Sequence, residues 1–215
     1  MLAAHPGGAQ EKLGEDDSKL YRAFEQLPEH SERHLYDNSN WSHDETKIAV
    51  MVHDLDAQNT ATVWVYNIAT ESFTQITHAD TIGMKDTMPV WSPDDTQIAF
   101  GSDRGGGLHV WVVDEDGENL RKVTENLETN NSDDVWSPRP DWTPDGQSLV
   151  YAAEVDDNWD IYQTNLIDGS VVRLTDDPAD DGTPRCSPDG KYISFRSQRS
   201  GEGALWLMDT ASGTV

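Results

Sequence analysis

The chain has 215 residues, the size of one large domain or two small ones, and its 40 acidic against 15 basic residues give a formal net charge of -25. A surface this acidic repels phosphate, which argues against nucleic acid and anionic membranes as partners and favours a basic or neutral one. No apolar run reaches the roughly 20 residues of a membrane-spanning helix, and a single cysteine excludes an internal disulfide. These properties predict no membrane insertion.

Residues 1–29 differ from the rest of the chain. Leu20, Phe24 and Leu27 follow helical spacing, so the segment predicts either a short amphipathic helix or disorder. It lacks the basic and apolar regions of a secretory signal peptide. We therefore separate this N-terminal extension from residues 30–215.

The rest of the chain is an internal repeat. Four ten-residue segments align without gaps, WSHDETKIAV, WSPDDTQIAF, WTPDGQSLVY and CSPDGKYISF, and they begin at Trp41, Trp91, Trp142 and Cys186. Their period of about 44 to 51 residues is that of β-propeller blades. In each unit a first strand ends at the Trp or Cys, a Pro-Asp-Gly type turn follows, and an alternating apolar segment such as IAF predicts the second strand.

A third and a fourth strand complete each unit. VWVYN, VWVVD, IYQTN and LWLMD predict the third strand, and QIT, KVT and RLT end the fourth. The sequence therefore predicts an all-β propeller of four-stranded antiparallel blades, with about four blades present.

These repeats resemble the TolB-like β-propeller family, a WD-repeat-like group, over residues 39–215. The resemblance rests on WSPDD-TQIAF, WTPDG-QSLVY and CSPDG-KYISF, each followed by a strand that ends in Asp or Asn. It implies a propeller of six blades, of which this chain holds an incomplete set. Because the last repeat stops at TASGTV, we expect a fragment of a longer protein, or self-association through the open edges. It also implies a periplasmic or extracellular location.

The loops that join second to third strands, and one blade to the next, vary in length and share one end of the propeller. Such variation is where function is usually grafted. Two tryptophans in these loops have no counterpart in other repeats, so we expect them to be partly exposed. The alternative is a solvated rim with two half-buried tryptophans. The candidate partner-binding residues are Trp136, Trp159, Asp86, Asp134, Asp157 and Asp181.

Other polar residues have structural explanations or point to a metal. Calcium accepts clustered oxygens in flexible loops, and the segment TDDPADDG offers Asp177, Asp180 and Asp181 as candidate ligands. No other cofactor is implied.

Cys186 occupies the position that tryptophan fills in the other repeats, so we expect a thiol packed between blades. The aspartates repeated in the tight turns are expected to form Asx turns.

No nucleophile elbow, P-loop, dinucleotide fingerprint or zinc-protease helix is present, so we predict no catalytic residue. The predicted function is a non-catalytic scaffold that binds a protein or peptide through its acidic variable-loop face. One alternative is the gating propeller of a prolyl-oligopeptidase-type serine peptidase. Another is a propeller that binds or cleaves carbohydrate or polyuronide, which would need a histidine cluster; only His53, His78 and His109 lie near that face.

Overall fold

The computed structural model describes residues 34–55, 57–124 and 138–215. The N-terminal extension 1–29 lies outside the described residues, as does the expected boundary at residue 30. The described part contains fifteen strands and no helix. They form four antiparallel sheets in which sequence neighbours pair, the up-and-down order of propeller blades.

The first two blades have four strands each. Blade 1 consists of β1 (His34–Trp41), β2 (Lys47–Asp54), β3 (Thr60–Asn67) and β4 (Ser72–Gln75). Blade 2 consists of β5 (Asp86–Trp91), β6 (Gln97–Ser102), β7 (His109–Asp114) and β8 (Arg121–Lys122).

The other two blades follow the same order. Blade 3 consists of β9 (Asp141–Trp142), β10 (Ser148–Val155), β11 (Asn158–Asn165) and β12 (Val171–Arg173). Blade 4 consists of β13 (Asp181–Cys186), β14 (Tyr192–Ser197) and β15 (Ala204–Asp209). The predicted all-β propeller with about four blades is confirmed, including the first strand that ends at the Trp or Cys.

The turn between the first and second strands is built alike in every blade. In blade 2 the Ser92 hydroxyl donates to Asp94 at 2.6 Å, and the Asp94 carboxylate also accepts from the amide of Thr96. The same two bonds are made by Asp44, Asp145 and Asp189. The expected Asx turns are confirmed, and they account for the repeated aspartates without a carboxylate site.

Each first strand also contains an irregularity that could not be predicted from the sequence. Pairing slips between Asp37 and Asn40 in β1, and again between Thr87 and Val90 in β5. The residue three before each Trp or Cys has positive φ; these are Asn38, Met88, Arg139 and Thr183. A bulge with a left-handed residue re-aims a strand, and its repetition gives the inner strands a common bend.

The core lies between blades. Val63 and Val65 of β3 pack in one cluster with Trp91 and Phe100 of blade 2. The same arrangement recurs between blades 2 and 3, where Val110 and Val112 share a cluster with Trp142 and Tyr151. Each blade therefore covers the third strand of the blade before it, as stacked repeats require.

The two outer faces of the stack lack such cover among the described residues. Trp41 is 47% exposed, whereas Trp91, in the same position of blade 2, is 1% exposed. On blade 4, Leu205 and Leu207 are exposed, although the equivalent valines of blade 2 are fully buried. Self-association through these faces stays a prediction.

Candidate functional site: the variable-loop face

Strand order gives the propeller two distinct ends. We call variable-loop face the end formed by the loops between second and third strands (55–59, 103–108, 156–157 and 198–203) together with the blade-to-blade connections. The opposite end, formed by the uniform tight turns, is the turn face. Four of the predicted partner-binding residues are described by the structure, at or beside the variable-loop face, and they fall into buried and exposed groups.

Asp86 and Asp181 were predicted to contact a binding partner, and their burial contradicts this prediction. Both are fully buried. Arg104 Nη2 donates to Asp86 Oδ2 at 2.5 Å, and Arg199 Nη2 donates to Asp181 Oδ2 at 2.5 Å. A carboxylate removed from water needs such a partner, so these two residues hold loops rather than contact a binding partner.

The same arrangement of an aspartate, an arginine and two aromatic rings occurs in blades 2 and 4. In blade 2 the Ser102 hydroxyl donates to Asp86 at 2.6 Å, and the Arg104 guanidinium lies 5.6 Å from the Phe100 ring centroid and 5.5 Å from that of Trp111. In blade 4 Arg199 lies over the equivalent Phe195 and Trp206. Burial raises the pKa of Asp86, while Arg104 and Ser102 oppose the shift. These ion pairs and ring contacts hold the β6–β7 and β14–β15 loops against their own sheets.

Trp159 was expected to be a partly exposed anchor, and this is also wrong. Its side chain is 6% exposed and packs with Ile161 of its own strand and with Phe195 of blade 4. Successive side chains of a strand alternate between faces, so residues 159 and 161 share the face of β11 that the next blade covers. Trp159 is therefore a core residue.

The remaining predicted residues have different outcomes. Asp157 is exposed and lies in a two-residue β10–β11 loop with a left-handed φ of 62°. Its placement at the surface agrees with the prediction, while a contact with a partner stays a prediction. Asp134 and Trp136 lie outside the described residues.

The carboxylates of the three candidate calcium ligands contact other groups of this chain. Asp180 Oδ1 accepts from the Trp159 amide at 3.3 Å, and Asp177 Oδ1 accepts from the Ala179 amide at 2.9 Å. Asp181 is held by Arg199. Within the described residues no group of three or more His, Cys, Asp or Glu side chains is arranged to hold a metal ion. Calcium binding stays an untested prediction without a gathered ligand set.

The histidines needed for the polyuronide alternative do not cluster either. His53 Nδ1 lies 2.7 Å from Asn59 Oδ1, and His109 Nδ1 lies 3.0 Å from the Thr124 hydroxyl. Burial and the charge of Lys122 lower the pKa of His109. These two rings are engaged separately, in different blades.

A surface cavity of about 380 Å³ opens where this face meets the uncovered outer face of blade 1, and it is lined by blade 1 and by its connection to blade 2. Its lining includes Asp54, Trp64, Asp80 and Ile82. Ile82 is 70% exposed, and Leu55 in the neighbouring loop is 39% exposed. Two exposed aliphatic side chains, Leu55 and Ile82, thus lie beside carboxylates on this face.

Hydrogen bonds tie together the two loops that frame this cavity. The Thr60 hydroxyl accepts from the Gly83 amide at 2.7 Å and donates to the Ala57 carbonyl. The Ala61 amide donates to the Met84 carbonyl at 2.9 Å. Because the loops are held before any ligand arrives, less conformational freedom is lost on binding.

Comparison with known proteins agrees with the observed propeller fold. Residues 136–215 match the family model described as TolB beta propeller domain. TolB from Acinetobacter baumannii superimposes with a TM-score of 0.69 at 22% identity, covering 83% of this chain and 42% of that one. The chain therefore has a β-propeller fold like that of TolB, and residues 136–215 carry the family match.

Other propellers resemble this TolB-like chain in fold. An oligogalacturonate lyase from Vibrio parahaemolyticus has a TM-score of 0.61 at 19% identity, covering 83% of this chain and 52% of that one. A puromycin-hydrolyzing peptidase of Mycobacterium tuberculosis has a TM-score of 0.62 at 15% identity, covering 84% of this chain and 30% of that one. One fold thus serves proteins of different activity.

Two curated relatives are similar in sequence. An uncharacterized protein of Agrobacterium fabrum is 36% identical over 126 residues, which are 58% of this chain and 40% of that protein. The uncharacterized peptidase YuxL of Bacillus subtilis is 27% identical over 173 residues, with 63% of this chain and 25% of that protein covered. The TolB-like chain thus spans less than half the length of either relative. No helix of the described residues is long and apolar enough to cross a membrane.

Proposed function

We propose that the TolB-like chain is a non-catalytic interaction module that binds a basic peptide segment with an apolar side chain in the cavity beside Ile82. The observation that carries the proposal is the exposed Ile82, which borders a cavity also lined by Asp54 and Asp80. Exposed apolar side chains at a pocket supply contact energy. Neighbouring carboxylates select the charge of the partner.

Long-range charge supports the same partner. The net charge of -25 attracts a basic segment from a distance and repels nucleic acid. Asp156 and Asp157, both exposed on the variable-loop face, extend the acidic surface beyond the cavity. The held loops limit the entropic cost of docking. We expect such a module to work outside the cytoplasm, as the TolB-like resemblance implies.

The test is the binding of a short Gly/Ser peptide that contains one leucine and two lysines, measured by fluorescence anisotropy. Two matched peptides replace the leucine with serine or the lysines with glutamates. We expect the first peptide to bind and both replacements to weaken binding. Ile82→Ser should weaken it about tenfold or more, since a buried Leu or Ile side chain is worth roughly 1.5–3 kcal/mol.

Ile167 supplies the matched control. It is 78% exposed, like Ile82, but lies in the β11–β12 turn on the turn face. Ile167→Ser should leave peptide affinity unchanged. Equal losses from the two substitutions, or equal binding of the lysine and glutamate peptides, would overturn the proposal.

A second candidate is the propeller domain of a serine peptidase, favoured by the similarity to YuxL over 173 residues. Labelling of the full-length natural protein with a fluorophosphonate probe separates the two. A labelled serine would place this propeller in a peptidase. A lack of labelling, together with binding of the lysine–leucine peptide, would support the interaction module.

A further inference from the structure

The junction between blades 3 and 4 departs from the two junctions before it. Trp91 and Trp142 fill the end of the first strand in blades 2 and 3, and both are buried. In blade 4 this position is Cys186. The partner position on the preceding third strand also changes, from an apolar Val112 at the blade 2–3 junction to Gln163 at the blade 3–4 junction. An indole and an aliphatic side chain are thus replaced by a thiol and an amide.

The replacement coincides with a cavity of about 340 Å³ on the turn face. Cys186, Gln163 and Ile193 line it, and Tyr192, 40% exposed, forms part of its wall. The residues equivalent to Ile193 in blades 2 and 3 are Ile98 and Leu149, which share a packed cluster with the indoles of Trp91 and Trp142. The cavity is therefore bordered by the groups that surround an indole in the other blades.

The mouth of the cavity is acidic. Asp145 and Asp189, from the tight turns of blades 3 and 4, belong to its lining, which includes no basic residue. Hydrogen bonds from Ser187 and Lys191 lower the pKa of Asp189 to about 2, and bonds from Thr143 and Gln147 lower that of Asp145. Lys191 Nζ lies 3.0 Å from Asp189 Oδ2, while Asp145 accepts from a hydroxyl and an amide.

The rest of the cavity lining, by contrast, includes no charged side chain. Burial raises the pKa of the Cys186 thiol to about 12, so the sulfur remains protonated at neutral pH. A volume of this size is at the lower end of small-molecule sites. A flat ring would contact the thiol and Ile193, the positions that surround an indole in blades 2 and 3.

We propose that this cavity, the Cys186 pocket, binds a small aromatic amine, with the ring in the position that an indole fills in blades 2 and 3 and the ammonium group near Asp145 and Asp189. The pocket lies on the turn face, so it is separate from the cavity beside Ile82. The proposal does not depend on the peptide-binding function.

Tryptamine is the probe, and indole-3-acetate, which has the same ring with a negative charge, is its control. We expect saturable tryptamine binding in calorimetry and at least tenfold weaker binding of indole-3-acetate. Cys186→Trp should fill the pocket and abolish tryptamine binding. Cys186→Ala, which leaves the space open, should change the affinity less than threefold.

A methyl NMR titration of the unmodified chain locates the ligand without relying on variants. Tryptamine should shift the Ile193 methyl signals and leave those of Ile82 unchanged. Equal affinity for the two indoles, tryptamine binding that survives Cys186→Trp, or shifts at Ile82 without shifts at Ile193 would each overturn the proposal.

Discussion

The buried ion pair between Asp86 and Arg104 makes a quantitative prediction. Arg104→Met leaves the Asp86 carboxylate without its cationic partner. The side chains of Asp86 and Arg104 are 0% and 3% exposed, so water cannot replace the lost contact. Removal of one partner from a buried pair costs about 3–5 kcal/mol, and part of this is the contact with the Phe100 and Trp111 rings.

Arg173 is the matched control. It pairs with the buried Asp160 at 2.5 Å, but its side chain is 46% exposed, so water can solvate Asp160 once the arginine is gone. We expect Arg173→Met to cost about 1 kcal/mol. The double variant Asp86→Asn/Arg104→Met should cost less than the sum of its single variants, with a coupling of about 1–3 kcal/mol.

Urea unfolding followed by tryptophan fluorescence measures these free energies. Equal costs for Arg104→Met and Arg173→Met would refute the reasoning, since burial is what separates them. Additivity in the Asp86–Arg104 cycle would show that the two side chains do not act as a pair.

Three further predictions concern tryptophans and turns. Trp91→Ala should cost about 3–5 kcal/mol in urea unfolding and Trp41→Ala less than about 1, because only Trp91 is buried. Trp159→Ala should lower the free energy of unfolding as much as Trp91→Ala does. A smaller loss than that of Trp41→Ala would contradict the assignment of Trp159 to the core. Asp189, with its pKa lowered from 3.8 to about 2, contributes stability that is present above pH 3.8 and lost as the pH falls through 2. Asp189→Asn should therefore flatten the decline of the urea midpoint in that window, and an unchanged decline would contradict the assignment.

Much of the fold could be predicted because the repeat carries it. Four aligned segments located the tight turns, the second strands and the inter-blade tryptophans. The bulge at Met88 and Thr183 could not be predicted, since neither residue favours positive φ and the bend is imposed by the surrounding sheet.

The site was harder to predict because a count of exposed-looking loop residues ignores where their side chains point. Trp159 lies two residues before Ile161, so alternation alone would have assigned it to the covered face. The sequence also contains a pattern that accompanies the buried Asp86 and Asp181. Each is followed 16 residues later by a serine and 18 residues later by an arginine, Ser102 with Arg104 and Ser197 with Arg199. No sequence pattern singles out the exposed Ile82, because a lone isoleucine in a loop is common.

Hydrogen exchange with and without the lysine–leucine peptide tests the central claim most directly. The account predicts slower exchange at residues 57–61 and 79–85, which frame the cavity beside Ile82, and no change at the tight turn 92–96 or the turn 166–170. Protection confined to those turns, with unchanged exchange around Ile82, would contradict the assignment of the variable-loop face as the interaction surface.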